Sequence, residues 1–231
     1  MQTLDTTQGG IVIEGNTASL LSKVLWITTA GFLFTALGAY MAPDLPGISF
    51  LLVVLLNFGL ILGINAVSRR SPGLALGLFY AFTVLMGVEI GPLLKAYLHM
   101  DGGQTIVFQA ALTTALGMAV MAMVAQVVRF DYRKLYSFAF AALIGLVIVG
   151  LISMFVHFIS PGLYAWASLA IFSVLLLVDF MRLRDGGRSR MGNYVATPVQ
   201  LSLSIYLDAL NIFLALLQIF GGGNRRGRGW S

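Results

Sequence analysis

The sequence predicts an all-α polytopic membrane protein with seven transmembrane helices. Three observations support this prediction: 58% of the 231 residues are hydrophobic and only 10% are charged, the mean hydropathy is +0.91, and seven long apolar windows alternate with short polar breaks. In a soluble domain, roughly a quarter of all residues are charged. Lipid is therefore expected to be the solvent for most of this chain.

Each window is long enough to span a bilayer, which requires about 20 mostly apolar residues. Four of the six breaks between them are turn signals, because they contain proline and glycine, which interrupt helices: residues 43–47, 71–73, 101–103 and 160–162. The chain divides into a polar N-terminal segment (1–20), a seven-helix transmembrane domain (21–220) and a Gly/Arg-rich tail (221–231). In order, the windows cover residues 22–42, 48–68, 73–98, 105–128, 135–157, 162–183 and 198–220.

The distribution of basic residues predicts the orientation of the helices. Ten of the fourteen Lys and Arg residues fall on the side of the windows that carries the N-terminus, and basic residues favour the cytoplasmic face. We therefore expect a cytoplasmic N-terminus and an external C-terminus, unless the last helix re-enters the membrane. The ten residues are Lys23, Arg69, Arg70, Arg129, Arg133, Lys134, Arg182, Arg184, Arg188 and Arg190.

Three acidic residues inside the windows are the candidate site residues: Glu89, Asp179 and Asp208. An ionised carboxylate near the bilayer centre costs at least about 2.5–3.5 kcal/mol, so each needs a partner or a proton. Asp208 shares a helix face with Ser204 and Asn211, and at 1.5 Å per residue it lies roughly 15 Å from the start of its helix. The alternative for Asp208 is a protonated carboxyl group that holds a neighbouring helix by a hydrogen bond.

Asp179 lies about one turn from the end of the sixth window. One interpretation is a local ion pair with Arg182, three residues further on. The other is a gate, because the loop after the second window places Arg69 and Arg70 at the same membrane face as alternative cationic partners.

Glu89 lies in the second half of the third window, beside Pro92, which frees a backbone carbonyl. Carboxylate and carbonyl oxygens are the ligands that a hard cation such as calcium prefers. The alternative is a buried pair with Lys95 or His99. On the same helix, Gly73 and Gly77 predict a close approach of a neighbouring helix.

The last window carries the most specific motif. Residues 202–213 read SLSIYLDALNIF, which resembles the S-L-x-L-Y-L-D-x-x-N-x-F pattern of the Bax inhibitor-1 family, a group that includes the YccA-type bacterial proteins. Weaker similarity is found in Leu78 to Thr83, with Gly87 and Pro92, and in the basic pair before the third window. The resemblance covers about residues 21–220.

This resemblance implies two groups of three helices around a central seventh helix, and a pH-regulated cation leak, chiefly of calcium. In the family, an aspartate of the sixth helix and one of the seventh share a proton, and an arginine near the second helix can latch the former. By position these residues are Asp179, Asp208 and Arg69, with Arg70 as the alternative. The sequence departs from the family where apolar residues follow Asp179 and where Glu89 replaces an uncharged residue.

The implied mechanism is consistent with carboxylate chemistry. Two carboxylates held together in a low dielectric cannot easily both ionise, so the pair titrates as a unit. We expect Asp179 and Asp208 to sense pH and to contact calcium weakly and transiently, since conduction requires a site that the ion can leave. Asp208, Glu89 and Asn211 are expected along the ion path.

A second hypothesis is a regulator that transports nothing and binds a membrane protease or another membrane partner. The YccA-type relatives are associated with regulation of an AAA protease, and residues 1–20 could be the engaging segment. A retinal photoreceptor is excluded because Lys23, Lys95 and Lys134, the three lysines, lie outside the seventh window. The chain contains neither HExxH nor GxSxG, and we do not expect an enzyme.

The remaining expectations concern partners and location. Without cysteine, disulfides, zinc–thiolate sites and thiol chemistry are excluded. The net charge of +5 does not indicate nucleic-acid binding, because the basic residues are spread over short loops and the tail. We expect no cofactor, the lipid bilayer and calcium ions as partners, and a prokaryotic cytoplasmic membrane. The first twenty residues lack the features of a signal peptide, so the first helix should remain as an uncleaved anchor.

Overall fold

The computed structural model describes residues 7–43, 47–129, 132–153, 156, 159–187 and 195–226, without the side chains of residues 7–18, 47–50 and 223–226. This excludes the side chains of Arg188, Arg190 and the basic tail from the description. Seven α-helices lie in this part of the chain: α1 (Thr7–Met41), α2 (Gly47–Val67), α3 (Pro72–Leu98), α4 (Gly103–Val127), α5 (Tyr132–Ser153), α6 (Pro161–Arg184) and α7 (Pro198–Arg226).

The predicted all-α polytopic fold is confirmed. Among the described residues, six helices are long and apolar enough to cross a membrane, and the described apolar part of α2 is the shorter segment Leu51–Val67. Large apolar side chains cover the outer surface, where Trp26 is 74% exposed and Phe138 is 75% exposed. Such a surface is stable in lipid, which is as apolar as the side chains themselves.

Local signals define several helix starts. Proline opens α3, α6 and α7, at the first helical position where its missing N–H is not needed. Before α7, Thr197 Oγ1 accepts a hydrogen bond from the N–H of Gln200 at 3.3 Å, and Gln200 Oε1 accepts one from the N–H of Thr197 at 3.1 Å. These reciprocal bonds form a capping box that fixes the start of the last helix.

Two helix ends differ from the predicted windows. α1 begins at Thr7 rather than near residue 22, and α7 continues to Arg226 rather than ending near residue 220. The two extensions add polar residues to a helix that already exists, which requires no new nucleation. Hydropathy therefore located the spans but not the ends of the helices.

The seventh helix is the centre of the fold, as the family resemblance implied. The buried share of a span rises from 11% in α5 to 56% in α7. Within the described ranges, α7 contacts α1, α2, α3, α4 and α6, whereas α5 packs on α6. The two sides of α7 belong to two buried clusters. We call the first the α1–α3 cluster; it includes Ile64, Phe79, Phe82 and Tyr206. We call the second the α4–α6 cluster; it includes Ala110, Leu146, Leu176 and Ile205.

Glycines allow α1 and α3 to pack at backbone distance. A Cβ at Gly87 would overlap the carbonyl oxygen of Thr35, and one at Gly38 would overlap that of Val84. The prediction that Gly73 and Gly77 mark this close approach is wrong, because a Cβ at either position would meet nothing within 4 Å. A small residue permits contact, but its position on the helix does not show which stretch faces the neighbour.

Candidate functional site

Asp208 lies in the middle of the central helix and is 7% exposed. On α7, Leu201 lies seven residues before Asp208, Ile205 lies three residues before it, and Ile212 lies four residues after it. All three belong to the α4–α6 cluster. This spacing places Asp208 within the same apolar stripe of the helix. Tyr206, two residues away and therefore about 200° around the helix, packs into the opposite α1–α3 cluster.

Asp179 occupies the equivalent position on α6 and is 2% exposed. Phe172 lies seven residues before Asp179, Leu176 lies three residues before it, and Leu183 lies four residues after it. All three belong to the α4–α6 cluster. The two sequence-predicted aspartates therefore interrupt two apolar stripes of one buried cluster, on helices that pack against each other.

The connection between α6 and α7 brings the end of one helix beside the start of the other. The N–H of Ala196 donates to the carbonyl of Gly187 at 2.7 Å, and a Cβ on Gly187 would lie 3.2 Å from the side chain of Leu201. At 1.5 Å per residue, Asp179 lies about 8 Å from the end of α6 and Asp208 about 15 Å from the start of α7. Their depths therefore differ by about 7 Å, somewhat more than one helical turn.

Arg182 is the third buried charged residue among the described side chains, at 8% exposed. It stands one turn beyond Asp179, at the spacing expected for a local ion pair. A single guanidinium can neutralise one carboxylate, so Asp179, Asp208 and Arg182 together are neutral only when one carboxyl group holds a proton.

Arg69 and Arg70 follow α2 and are both exposed. Arg69 lines a cavity together with Lys23 of α1 and the start of α7. Within the described ranges, α2 and α3 do not contact α6, so the latch between Arg69 and Asp179 stays a prediction about a conformational change.

Glu89 is half-buried and faces α2. Its Oε2 accepts a hydrogen bond of 2.8 Å from Nδ2 of Asn57, a residue that is 4% exposed. Lys95 donates instead to the carbonyl of Ala42, beyond the end of α1, and His99 is exposed with its Nδ1 2.7 Å from the carbonyl of Lys95. The structure therefore does not show the predicted pair of Glu89 with Lys95 or His99, and the role of Glu89 as a cation ligand stays a prediction.

Asn211 is half-buried on the stripe that also carries Ser204 and Asp208. Its Nδ2 donates to the carbonyl of Leu207 within α7 at 2.8 Å. The place of Asn211 along an ion path stays a prediction. Among the described residues, no group of three or more His, Asp or Glu side chains could hold a metal ion.

Sequence reasoning missed a hydroxyl pair that connects the central helix to the first group of helices. The hydroxyl oxygen of Tyr206 lies 2.6 Å from Oγ1 of Thr35, which is also 2.9 Å from the carbonyl of Gly31 and 3.0 Å from that of Thr83. Carbonyl oxygens only accept, so Thr35 donates to a carbonyl and Tyr206 donates to Thr35. The aromatic rings of Phe32, Phe79 and Phe82 lie within 6 Å of the Tyr206 ring.

Comparison with known proteins gives a consistent result. Residues 17–226 match the family model described as "Inhibitor of apoptosis-promoting Bax1". An uncharacterized membrane protein of Vibrio cholerae is 30% identical over 95% of this chain and 92% of its own length. An uncharacterized protein of Helicobacter pylori is 30% identical over 85% of this chain and 80% of its own, and an uncharacterized membrane protein of Streptococcus pyogenes is 32% identical over 68% and 67%.

Proposed function

Because the chain belongs to the Bax inhibitor-1 family, we propose that this multi-pass membrane protein is a pH-sensitive calcium leak whose proton sensor is the pair Asp179 and Asp208. The family resemblance first identified in the last helix extends over nearly the whole chain. Bacterial relatives support a prokaryotic cytoplasmic membrane as its location. The ten basic residues on the side of the N-terminus support a cytoplasmic N-terminus.

The observation that carries this proposal is the burial of both aspartates at equivalent positions in one apolar cluster. Two buried carboxylates with one guanidinium leave one negative charge uncompensated in a low dielectric, and one of the carboxyl groups holds a proton instead. Two such carboxyl groups beside one arginine form a unit whose charge changes by one when a single proton leaves. This change occurs between the helices with the most buried spans, α6 and α7.

Loss of that proton places a net negative charge in a dry cluster. The cluster then gains by admitting water or a cation, or by bringing a further arginine to Asp179, and each of these changes the packing of α6 against α7. Calcium suits the site, because hard cations prefer carboxylate and carbonyl oxygens. Two carboxylates supply fewer ligands than the six to eight of a tight calcium site, so the ion binds weakly and can leave.

The direct test is calcium influx into liposomes that contain the purified protein and a calcium dye, recorded from pH 6 to pH 8. The proposal predicts influx above that of protein-free liposomes and a clear dependence on pH. Influx equal to that of protein-free liposomes at every pH would contradict it.

One observation favours a second candidate function, a regulator that binds a membrane protease or another membrane partner. α1 begins at Thr7, whereas the apolar window of the sequence begins near residue 22, so about four helical turns precede that window. Such a helical extension is a natural docking element. Deleting residues 1–18 should abolish partner regulation and leave calcium influx unchanged if this candidate applies, and partner regulation that survives the deletion would contradict it.

A further inference from the structure

A cavity of about 470 Å³ lies where three helix ends meet at one face of the bundle. It is bounded by the start of the α1 span, the connection from α2 to α3 and the start of α7, including Ile27, Ser68 and Pro198. These ends lie on the side of the membrane that carries ten of the fourteen basic residues. The cavity is therefore at the level of lipid head groups rather than in the hydrocarbon core.

The charged residues that line this cavity are both basic. Lys23 comes from α1 and Arg69 from the connection between α2 and α3, so the two cations converge from separate elements. None of the described lining residues is acidic. Lys23 and Arg69 are exposed, and both can therefore reach a ligand without a change in the fold.

The start of α3 adds donors to the same cavity. The first N–H groups of a helix have no partner within the helix, and the side chain of Ser71, before α3, makes no capping hydrogen bond. Gly73 lines the cavity, and no other atom would lie within 4 Å of a Cβ at this position. Two cations beside a helix start that is open in this way favour an anion with several acceptor oxygens.

We propose that this cavity binds the phosphate group of an anionic phospholipid. The phosphate would lie between Lys23, Arg69 and the start of α3, while Ile27 and Leu76 line the apolar part of the cavity and contact the glycerol and the first methylene groups. A free phosphate would satisfy the basic residues but leave that apolar wall in contact with water. Arg69 is also the predicted latch for Asp179, but the lipid-binding test below does not measure calcium influx and is separate from the test of the calcium proposal.

The test is native mass spectrometry of the full-length protein in detergent, titrated with phosphatidylglycerol or phosphatidylcholine. Wild type should retain one phosphatidylglycerol in preference to phosphatidylcholine. Each basic residue near an anionic surface contributes about fivefold, so the double variant Lys23→Gln with Arg69→Gln should bind phosphatidylglycerol about 25-fold more weakly. The double variant Arg129→Gln with Lys134→Gln removes two exposed cations that lie after α4 and at the start of α5 and do not line the cavity, and it should bind as wild type does.

A second variant fills the cavity without changing its charge. Gly73→Leu places a side chain in open space, so the fold should persist while lipid retention falls. Equal retention by wild type and the Lys23/Arg69 variant would overturn the proposal, as would retention unchanged by Gly73→Leu. Displacement of the lipid by inorganic phosphate at equal concentration would overturn the assignment to phospholipid and point to a free phosphate.

Discussion

The hydroxyl group of Tyr206 donates a hydrogen bond of 2.6 Å to Oγ1 of Thr35, which ties the central helix to α1. Two residues further along, Asp208 lies on the opposite side of α7, in the α4–α6 cluster. The Tyr-Leu-Asp sequence of the last helix therefore contacts both groups of helices: Tyr206 contacts the first group and Asp208 faces the second. Mutation of each residue can test its role separately.

Tyr206→Phe should lower the free energy of unfolding by about 0.6–1.7 kcal/mol, the range for hydrogen bonds between helices in membranes. The ring contacts with Phe32, Phe79 and Phe82 persist in this variant, so the loss reports the hydroxyl group alone. Unfolding in increasing mole fractions of SDS would measure it. Tyr40→Phe is the control, because Tyr40 is 85% exposed, and an equal loss in both variants would refute a specific role for the pair.

Gly87→Ala should destabilise the protein by about 1–3 kcal/mol, the usual cost of overpacking. The added methyl group overlaps the carbonyl of Thr35, which forces α1 and α3 apart. Gly77→Ala lies on the same helix in open space and should not destabilise the protein, because a helix interior favours Ala over Gly by about 0.5–1 kcal/mol. The same SDS titration compares the two variants, and similar behaviour of both would show that the α1–α3 contact is not close.

Arg184→Gln should also lower stability, by about 1–3 kcal/mol. Nη1 of Arg184 donates to the carbonyls of Ala125 and Val128, at 2.6 and 2.8 Å, and these bonds join the end of α4 to the end of α6. Without the guanidinium, carbonyls at the end of α4 lose their donors. As a control, Arg129→Gln removes an exposed cation nearby and should leave the unfolding midpoint unchanged. An unchanged midpoint for Arg184→Gln would show that these hydrogen bonds between α4 and α6 do not stabilise the protein.

Glu89→Gln tests whether this carboxylate, held by Asn57 at 2.8 Å, lies along the ion path. Removing a nearby charge in a partly aqueous site changes the energy of a cation by about 1 kcal/mol, so calcium influx should fall about fivefold at every pH. The shape of the pH profile should not change. Asp101→Asn removes an exposed acid outside the helices and controls for surface charge; influx equal to wild type in Glu89→Gln would exclude Glu89 from the path.

The fold could be predicted because its main determinant is local. Apolar windows of sufficient length and the prolines and glycines between them place all seven helices, and the family motif places the last helix at the centre. The ends of α1 and α7 were misplaced, because hydropathy reports what lies in lipid whereas a helix continues through polar residues.

The site was predictable only in part, for a physical reason. Periodicity within one helix placed Asp208 on a stripe with Ser204 and Asn211, and burial cost identified Asp179 and Glu89. The partners across helices, Asn57 for Glu89 and Thr35 for Tyr206, depend on how the helices pack. Thr35 is an ordinary residue in an apolar window, and no single-helix pattern distinguishes it from Thr28 or Thr29.

The most direct test of the account is the pH profile of calcium influx from pH 6 to pH 8 for wild type, Asp179→Asn and Asp208→Asn in matched liposomes. In either variant one carboxyl group and one guanidinium, that of Arg182, remain buried in the cluster, so the cluster is neutral without a bound proton. We predict that both variants lose the pH dependence of wild type within this range, while folding and membrane insertion persist. Two variants with the wild-type profile would contradict the assignment of Asp179 and Asp208 as the proton sensor.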